Sequence, residues 1–155
     1  HPYYMNYKKY KYLLETSYRV IKEVLPDYNI LIKLHPREEE IKVKNLIKDL
    51  DLKNIFITNE HSSVISAKAK FTISFWSSAI LDSLSLNIPS IEYYIEDKLF
   101  KEAEPEGSLY RKNGIISVNN EDQLRYNIKL IIKDEYTQPQ IVNYFKSEMN
   151  LGFFD

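Results

Sequence analysis

Between Phe71 and Tyr94 the chain runs through a short apolar strand (Phe71–Phe75), a hydroxyl-rich turn at Trp76-Ser77-Ser78, a short helix (Ser77–Leu86), then Pro89 and a second short strand, Ser90–Tyr94. No other feature constrains the fold as much. Strands joined through a helix pair parallel, and a parallel sheet needs both faces covered. The rest of the chain repeats the alternation. Tyr10, Leu13, Leu14, Tyr18, Ile21, Val24 and Leu25 recur at helical spacing and predict a helix from about Tyr4, stopped by Pro26-Asp27. Tyr28–Leu34 reads as a strand that stops at His35-Pro36, because the residue before proline is pushed out of helical geometry. Glu38–Leu50 follows as a charged amphipathic helix with Ile41, Leu46, Ile47 and Leu50 on its apolar side.

Asn54–Thr58 is a further strand, and Ser62 or Ser63 to Ala69 a short helix. Ile95–Asn113, with Pro105 and Gly107, reads as a loop with one helical turn. Ile115–Val118 is the last strand, followed by a helix from Glu121 to about Lys133 and a final helical piece at about Pro139–Met149, with Phe145, Phe153 and Phe154 available to dock. The expected fold is α/β: one domain, residues 1–155, built on a Rossmann-like parallel sheet of about five strands with helices on both faces.

Composition narrows the function. An apolar content of 44% in 155 residues is that of a folded domain with a sizeable core. The net charge is −1 with acids and bases interspersed, so no basic face marks a nucleic-acid or anionic-membrane partner. With no cysteine there is no disulfide, thiol nucleophile or thiolate metal site, which fits a reducing compartment. No apolar run approaches the roughly 20 residues of a membrane span, and the start shows no signal-peptide pattern. The expected location is cytoplasmic, at most peripheral to the inner face of the plasma membrane. Three glycines leave no room for Gly-rich dinucleotide or P-loop fingerprints. His1, His35 and His61 have no paired ligand spacing, so no metal is expected.

In open parallel sheets, ligands sit beyond the carboxyl ends of the strands. His35, Asn59-Glu60-His61, Trp76-Ser77-Ser78 and Glu92 all fall there. The hydroxyls and N–H groups of Ser77 and Ser78 at a helix start suit a phosphate, although one of them serves equally as an ordinary N-cap. Asp82, one turn on, suits two vicinal ribose hydroxyls or is a solvated acid favoured by the helix dipole. His35 suits a phosphate oxygen or is a surface histidine. Glu60 and His61 either contact a base or ribose or cap the next helix, the cap being favoured. Trp76 either stacks on a base or packs. Glu92 is an acceptor or an ordinary exposed acid. Arg111 and Lys112, beside Tyr110, either clamp phosphates or solvate the long loop, solvation being favoured.

Taken together, the strand Ile55-Phe56-Ile57, the hydroxyl turn, the helix carrying Asp82 and Pro89 seven residues later resemble the C-terminal, donor-binding domain of GT-B glycosyltransferases. Leu34-His35-Pro36 with Ser77-Ser78 is more closely similar to CDP-glycerol glycerophosphotransferases and to capsule polysaccharide transferases with HP and SS motifs. The resemblance spans roughly residues 25–135. It implies half of a GT-B fold, with His35, Ser77 and Ser78 on the phosphates of a CMP-, CDP- or UDP-linked donor and Asp82 on its ribose. It implies no resident cofactor, an N-terminal acceptor domain preceding this chain, a glycan or lipid-linked acceptor, and transfer of a sugar or polyol phosphate in bacterial capsule, teichoic acid or lipopolysaccharide synthesis. Two departures stand out: the Gly-rich turns of many members are missing, and Trp76 stands where a smaller or polar residue is common. The alternatives are half of a UDP-N-acetylglucosamine 2-epimerase-like enzyme, or a non-catalytic α/β interaction module.

Overall fold

The computed structural model describes residues 6–36, 38–108 and 115–136. In chain order the elements are α1 (Tyr7–Val24), β1 (Ile30–Lys33), α2 (Glu40–Asp49), β2 (Ile55–Thr58), α3 (Ser62–Ser66), β3 (Thr72–Ser74), α4 (Ile80–Ser85), β4 (Ser90–Tyr93), α5 (Lys98–Ala103), β5 (Ile116–Val118) and α6 (Glu121–Ile132). The expected final helical piece with its phenylalanines, the Tyr110-Arg111-Lys112 stretch and His1 lie outside the described residues. The single helical turn expected after Ile95 is α5, capped by the Asp97 carboxylate, which accepts the Phe100 N–H at 2.9 Å.

Every strand pairing is parallel, and the architecture is mixed α/β. The sheet itself differs from expectation. The strands form two small sheets, β1–β2 and β3–β4–β5, instead of one of about five. Among the described residues no backbone ladder joins β1 to β3, and side chains do the joining instead. Ile30 of β1 and Phe71, Ile73 and Phe75 around β3 pack on the same core cluster. A second correction falls on α2, which buries Val43 and Leu46 and leaves Ile41 61% exposed, because Ile41, two residues before Val43, lies on the opposite side of the helix.

The three-stranded sheet has two chemically distinct faces. Ile73, Ile91 and Ile116 align in register on one face, with Tyr93 beside Val118, and α1 and α6 cover it. Leu13, Val20, Leu124 and Ile128 supply the helical side of that core. On the opposite face the register aligns Thr72 with Ser90, and Ser74 with Glu92 and Ser117. Helix α4 covers this polar face through Ser83, whose hydroxyl meets Thr72 and Ser90, both at 2.8 Å, and donates to the Ile80 carbonyl. Buried hydroxyls are costly unless bonded, and these satisfy one another.

With so few glycines, left-handed backbone falls to other residues. Helices α2, α4 and α6 each end on an Asp or Asn at positive φ: Asp51 (48°), Asn87 (58°) and Asp134 (54°). In each case the following N–H reaches back to the last turn, as Ile88 does to the Ser83 carbonyl at 3.0 Å. This is the Schellman ending usually assigned to glycine, reached with the residue types that tolerate it next best. No helix among the described residues is long and apolar enough to cross a membrane.

The ending of α4 makes a first prediction. Asn87→Ala loses about 1 kcal/mol of stability, the cost of an ordinary side chain in left-handed geometry, while Asn87→Gly stays close to the parent protein. Urea titration of the three proteins measures both values; equal loss in the two variants contradicts the assignment.

Candidate functional site

The turn after β3 carries the least ordinary backbone in the protein. Trp76 has φ = 64°. A bulky aromatic residue there stores strain of order 1–3 kcal/mol, so the surroundings must hold it in place. The indole is 7% exposed and packs against Tyr94 and Phe100, with ring centroids at 5.3 and 4.9 Å. On the other side, the Ser74 hydroxyl accepts the Ser77 N–H at 3.0 Å and donates to the Ser77 carbonyl at 3.3 Å. An aromatic cluster and a strand-end hydroxyl together fix the turn. Trp76 is therefore an anchor within the core, not a ring presented to a base.

The two serines have different duties. The N–H and carbonyl of Ser77 are bonded to Ser74, its carbonyl also accepts the Ile80 N–H, and its hydroxyl accepts the Ala79 N–H at 3.4 Å. Ser77 thus stabilises the tight turns that lead into α4; the helix itself starts at Ile80, not at Ser77 as expected, and its N-cap Ala79 has no side-chain cap bond, so neither serine is the N-cap. Ser78 is exposed, and among the described residues neither its N–H nor its hydroxyl makes a hydrogen bond. It is the serine with donors to offer.

Asp82 lies in the first turn of α4, and the Ser62 hydroxyl at the start of α3 donates to its Oδ2. The structure thereby brings together the loop after β2 and the helix after β3. One carboxylate oxygen of Asp82 is engaged, and the other is bonded to nothing among the described residues. His61 is the N-cap of α3: its Nδ1 accepts the Ser63 N–H at 3.3 Å and meets the Ser63 hydroxyl at 2.8 Å. The capping alternative is the one realised. Glu60 is exposed, and its N–H donates to the Thr58 hydroxyl at 3.1 Å.

His35 is exposed at the end of β1, in a turn closed by its own N–H on the Glu38 carboxylate at 2.5 Å and the Glu38 N–H on its carbonyl at 2.9 Å. The start of α1 connects this turn to the rest. Burial pushes the Tyr10 phenol well up, and the negative charge of Glu38 adds to the effect. The Tyr10 ring meets Phe75, next to Trp76, edge-on at 6.0 Å. Lys9, beside it, reaches the end of β4: its ammonium donates to the Tyr94 hydroxyl at 3.3 Å and pairs with Asp97, 4.9 Å from the centroid of the Tyr94 ring. One helix end thus touches the carboxyl ends of β3 and β4 and feels the charge of Glu38 after β1.

The charges there are settled by their neighbours. Burial alone pulls the Lys9 ammonium down, but hydrogen bonds to Asp97 and Tyr94 outweigh it, and Lys9 titrates above its ordinary value. The Lys9 bond, helped by the Phe100 N–H, holds the Asp97 carboxyl below the usual range. Glu92, read from sequence as either an acceptor or an ordinary exposed acid, is 1% exposed, which excludes the second: it lies on the polar face of the sheet, in register with Ser74, and the Ser117 hydroxyl donates to it at 3.4 Å. A strand covered on both faces buries its acids with everything else.

Lys9, Tyr10, Tyr94, Asp97 and Ser74 are members of this edge that the sequence reading did not single out as site residues. Lys9 sits in a Lys8-Lys9 pair on an amphipathic helix, where nothing local separates the buried lysine from the exposed one. An open groove lined by Glu40, Lys44, Ile47, Ile55, Phe56 and Ile57 lies elsewhere, between α2 and β2. No cluster of His, Asp and Glu capable of holding a metal ion occurs among the described residues. No protein-family model matches this chain, and no curated protein or solved structure matches it either.

Two predictions follow from the turn and its latch. Ser74→Ala removes both bonds to Ser77 and destabilises the protein by about 1–3 kcal/mol, whereas Ser78→Ala changes stability by less than about 0.5 kcal/mol; chemical denaturation separates them. The second concerns pH. The depressed Asp97 carboxyl contributes stability above its unfolded pKa of about 3.9 and loses it as pH falls through the lower folded value. The raised Lys9 contributes below about pH 10.4 and loses it as pH rises through the higher folded value. The difference in thermal midpoint between the parent protein and Asp97→Asn should therefore be flat across neutral pH and shrink at both extremes. A difference independent of pH down to acid unfolding contradicts the latch.

Proposed function

We propose that this domain is the donor-nucleotide-binding half of a transferase that moves a sugar or polyol phosphate from a nucleotide-activated donor in bacterial surface polysaccharide synthesis. The observation that carries the reading is Ser78: a free N–H and hydroxyl on a strained turn held rigid by Ser74 and by the Trp76–Tyr94–Phe100 cluster. Strain kept at one point by its surroundings favours a functional role for that point. Two donors facing solvent at a strand's carboxyl end suit a phosphate oxygen.

In this reading the two sheets form the two sides of a Rossmann-like layer, with the ligand crossing between the ends of β1 and β3. The leaving phosphate lies on Ser78. His35 donates to it from the end of β1, and the free oxygen of Asp82 accepts from the ribose. Ser77, Trp76 and His61 hold the backbone in place instead of touching the ligand. The catalytic contribution is electrostatic: fixed donors lower the cost of charge developing on the departing phosphate without reorganising during the reaction. The acceptor, glycan or lipid-linked, is met on a second domain.

Isothermal titration with CMP, CDP and UDP tests the proposal. Binding to at least one of them is expected, with Ser78→Ala and His35→Ala each weakening it about tenfold, the 1.4 kcal/mol of one charge-assisted hydrogen bond. Ser78→Ala folds as the parent does, so its effect on binding is read free of unfolding. Absence of binding to all three nucleotides overturns the reading in favour of a non-catalytic interaction module.

A further inference from the structure

Strand β2 is an edge without the usual protection. Its one ladder is with β1, and among the described residues no strand lies along its other side. Exposed edges are commonly blunted by charges, proline or a bulge. Ile55-Phe56-Ile57-Thr58 has neither charge nor proline, and its register with β1 runs without a bulge. The alternation of the strand fixes which main-chain groups stay open. The Asn54 carbonyl accepts the Ile30 N–H at 2.9 Å, so Asn54, Phe56 and Thr58 turn their groups towards β1. Ile55 and Ile57 therefore turn theirs outward, with no strand to meet them. The side chains are bare as well. Leu31 and Phe56, in register on the face opposite Ile55 and Ile57, are 50% and 55% exposed. The helix that follows β2, α3, packs on α4 and leaves that face uncovered. On the other face, the groove between α2 and β2 is lined by no residue of β1, so it opens along the same outer edge.

We propose that β2 pairs antiparallel with β2 of a second copy of this chain, about a twofold axis at Phe56. Of the possible registers, this one matches the open groups. Ile55 stands opposite Ile57 of the second copy, and Ile57 opposite its Ile55, so every outward N–H and carbonyl of the two strands is bonded. Phe56 then meets its own copy at the non-bonded position, where side chains approach most closely. An axis at Ile55 or Ile57 sets the other isoleucine opposite Lys53 or Asn59, outside the strand. An axis between residues sets side chains of opposite faces against each other. With the axis at Phe56, Leu31, Phe56 and their copies form one apolar row across four strands. The ends match in charge too. Asp51 and Lys53 at the start of one strand come against Glu60 and His61 at the end of the other, all of them exposed, so each acid faces a base.

The pairing does not depend on the nucleotide reading, and its test is the oligomeric state. Strands this short make a small interface, so the dimer is weak. Sedimentation of the 155-residue chain from about 1 μM to about 1 mM should show the mass rising from monomer towards dimer. Ile57→Pro removes one outward N–H from each copy and leaves the ladder with β1 intact. Phe56→Lys, at a position more than half exposed, sets two like charges on the axis. Each raises the dissociation constant tenfold or more. Where Ile57→Pro fails to fold, Phe56→Lys decides the matter. A cysteine-free chain also permits a direct map of the axis. Oxidation should link Phe56→Cys to its own copy, whereas Leu31→Cys, one strand further in on the same face, stays unlinked. A parent chain that is monomeric at the highest concentration overturns the proposal. So does a dimer that Phe56→Lys leaves intact, or one that Leu31→Cys links and Phe56→Cys does not.

Discussion

The packing of the Trp76 indole between Tyr94 and Phe100 is the contact on which the rest of this edge depends. It holds a bulky residue in left-handed backbone geometry, ends β3 after three residues, and orients everything between Ser77 and Asp82. The same rings belong to the main core, so the turn has the rigidity of the core and not that of a surface loop. Through Tyr94 they also support the ammonium of Lys9. One cluster of aromatic side chains therefore sets the backbone of the candidate site.

The sheet separates stability from chemistry by its two faces. The face under α1 and α6 is aliphatic and aromatic, and supplies the area removed from water. The face under α4 is a layer of hydroxyls with one carboxylate, Thr72, Ser74, Ser83, Ser90, Glu92 and Ser117, bonded among themselves and to main chain. Such a layer contributes little net energy, because its bonds replace bonds to water. Its value lies in specificity: each hydroxyl has defined partners, and Ser74 passes that order on to the turn. A site made of a few exact positions benefits from a base that cannot slide.

Much of the fold was legible in the sequence, and the reasons are local. Proline after His35, Pro26-Asp27 after α1, and apolar spacing in α1 each mark an element by its own chemistry. The parallel pairing followed from the alternation. What was not legible depends on distant partners. Whether β1 and β3 share a ladder depends on how the two sheets settle on their common core, where residues far apart in the chain meet. The exposure of Ile41 and the burial of Glu92 depend on what lies over each face, and residue type does not report that.

The candidate site divides in the same way. Ser77-Ser78 was recognisable as a turn with one hydroxyl more than a cap needs, but the structure places both serines before the helix, whose N-cap is Ala79 with no side-chain cap bond. His61 was recognisable as a cap and is one. Lys9 was invisible, and so was the bond from Ser62 to Asp82, since these depend on partners 88 and 20 residues away along the chain. The account's central claim is that Ser78, not Ser77, presents its amide to a ligand at this edge. Following the backbone amide resonances while CDP is added tests it most directly. The account predicts that Ser78 shifts among the most strongly, while Ser77, bonded to Ser74, moves little; saturable shifts confined to other elements, or centred on Ser77 with Ser78 unmoved, would contradict it.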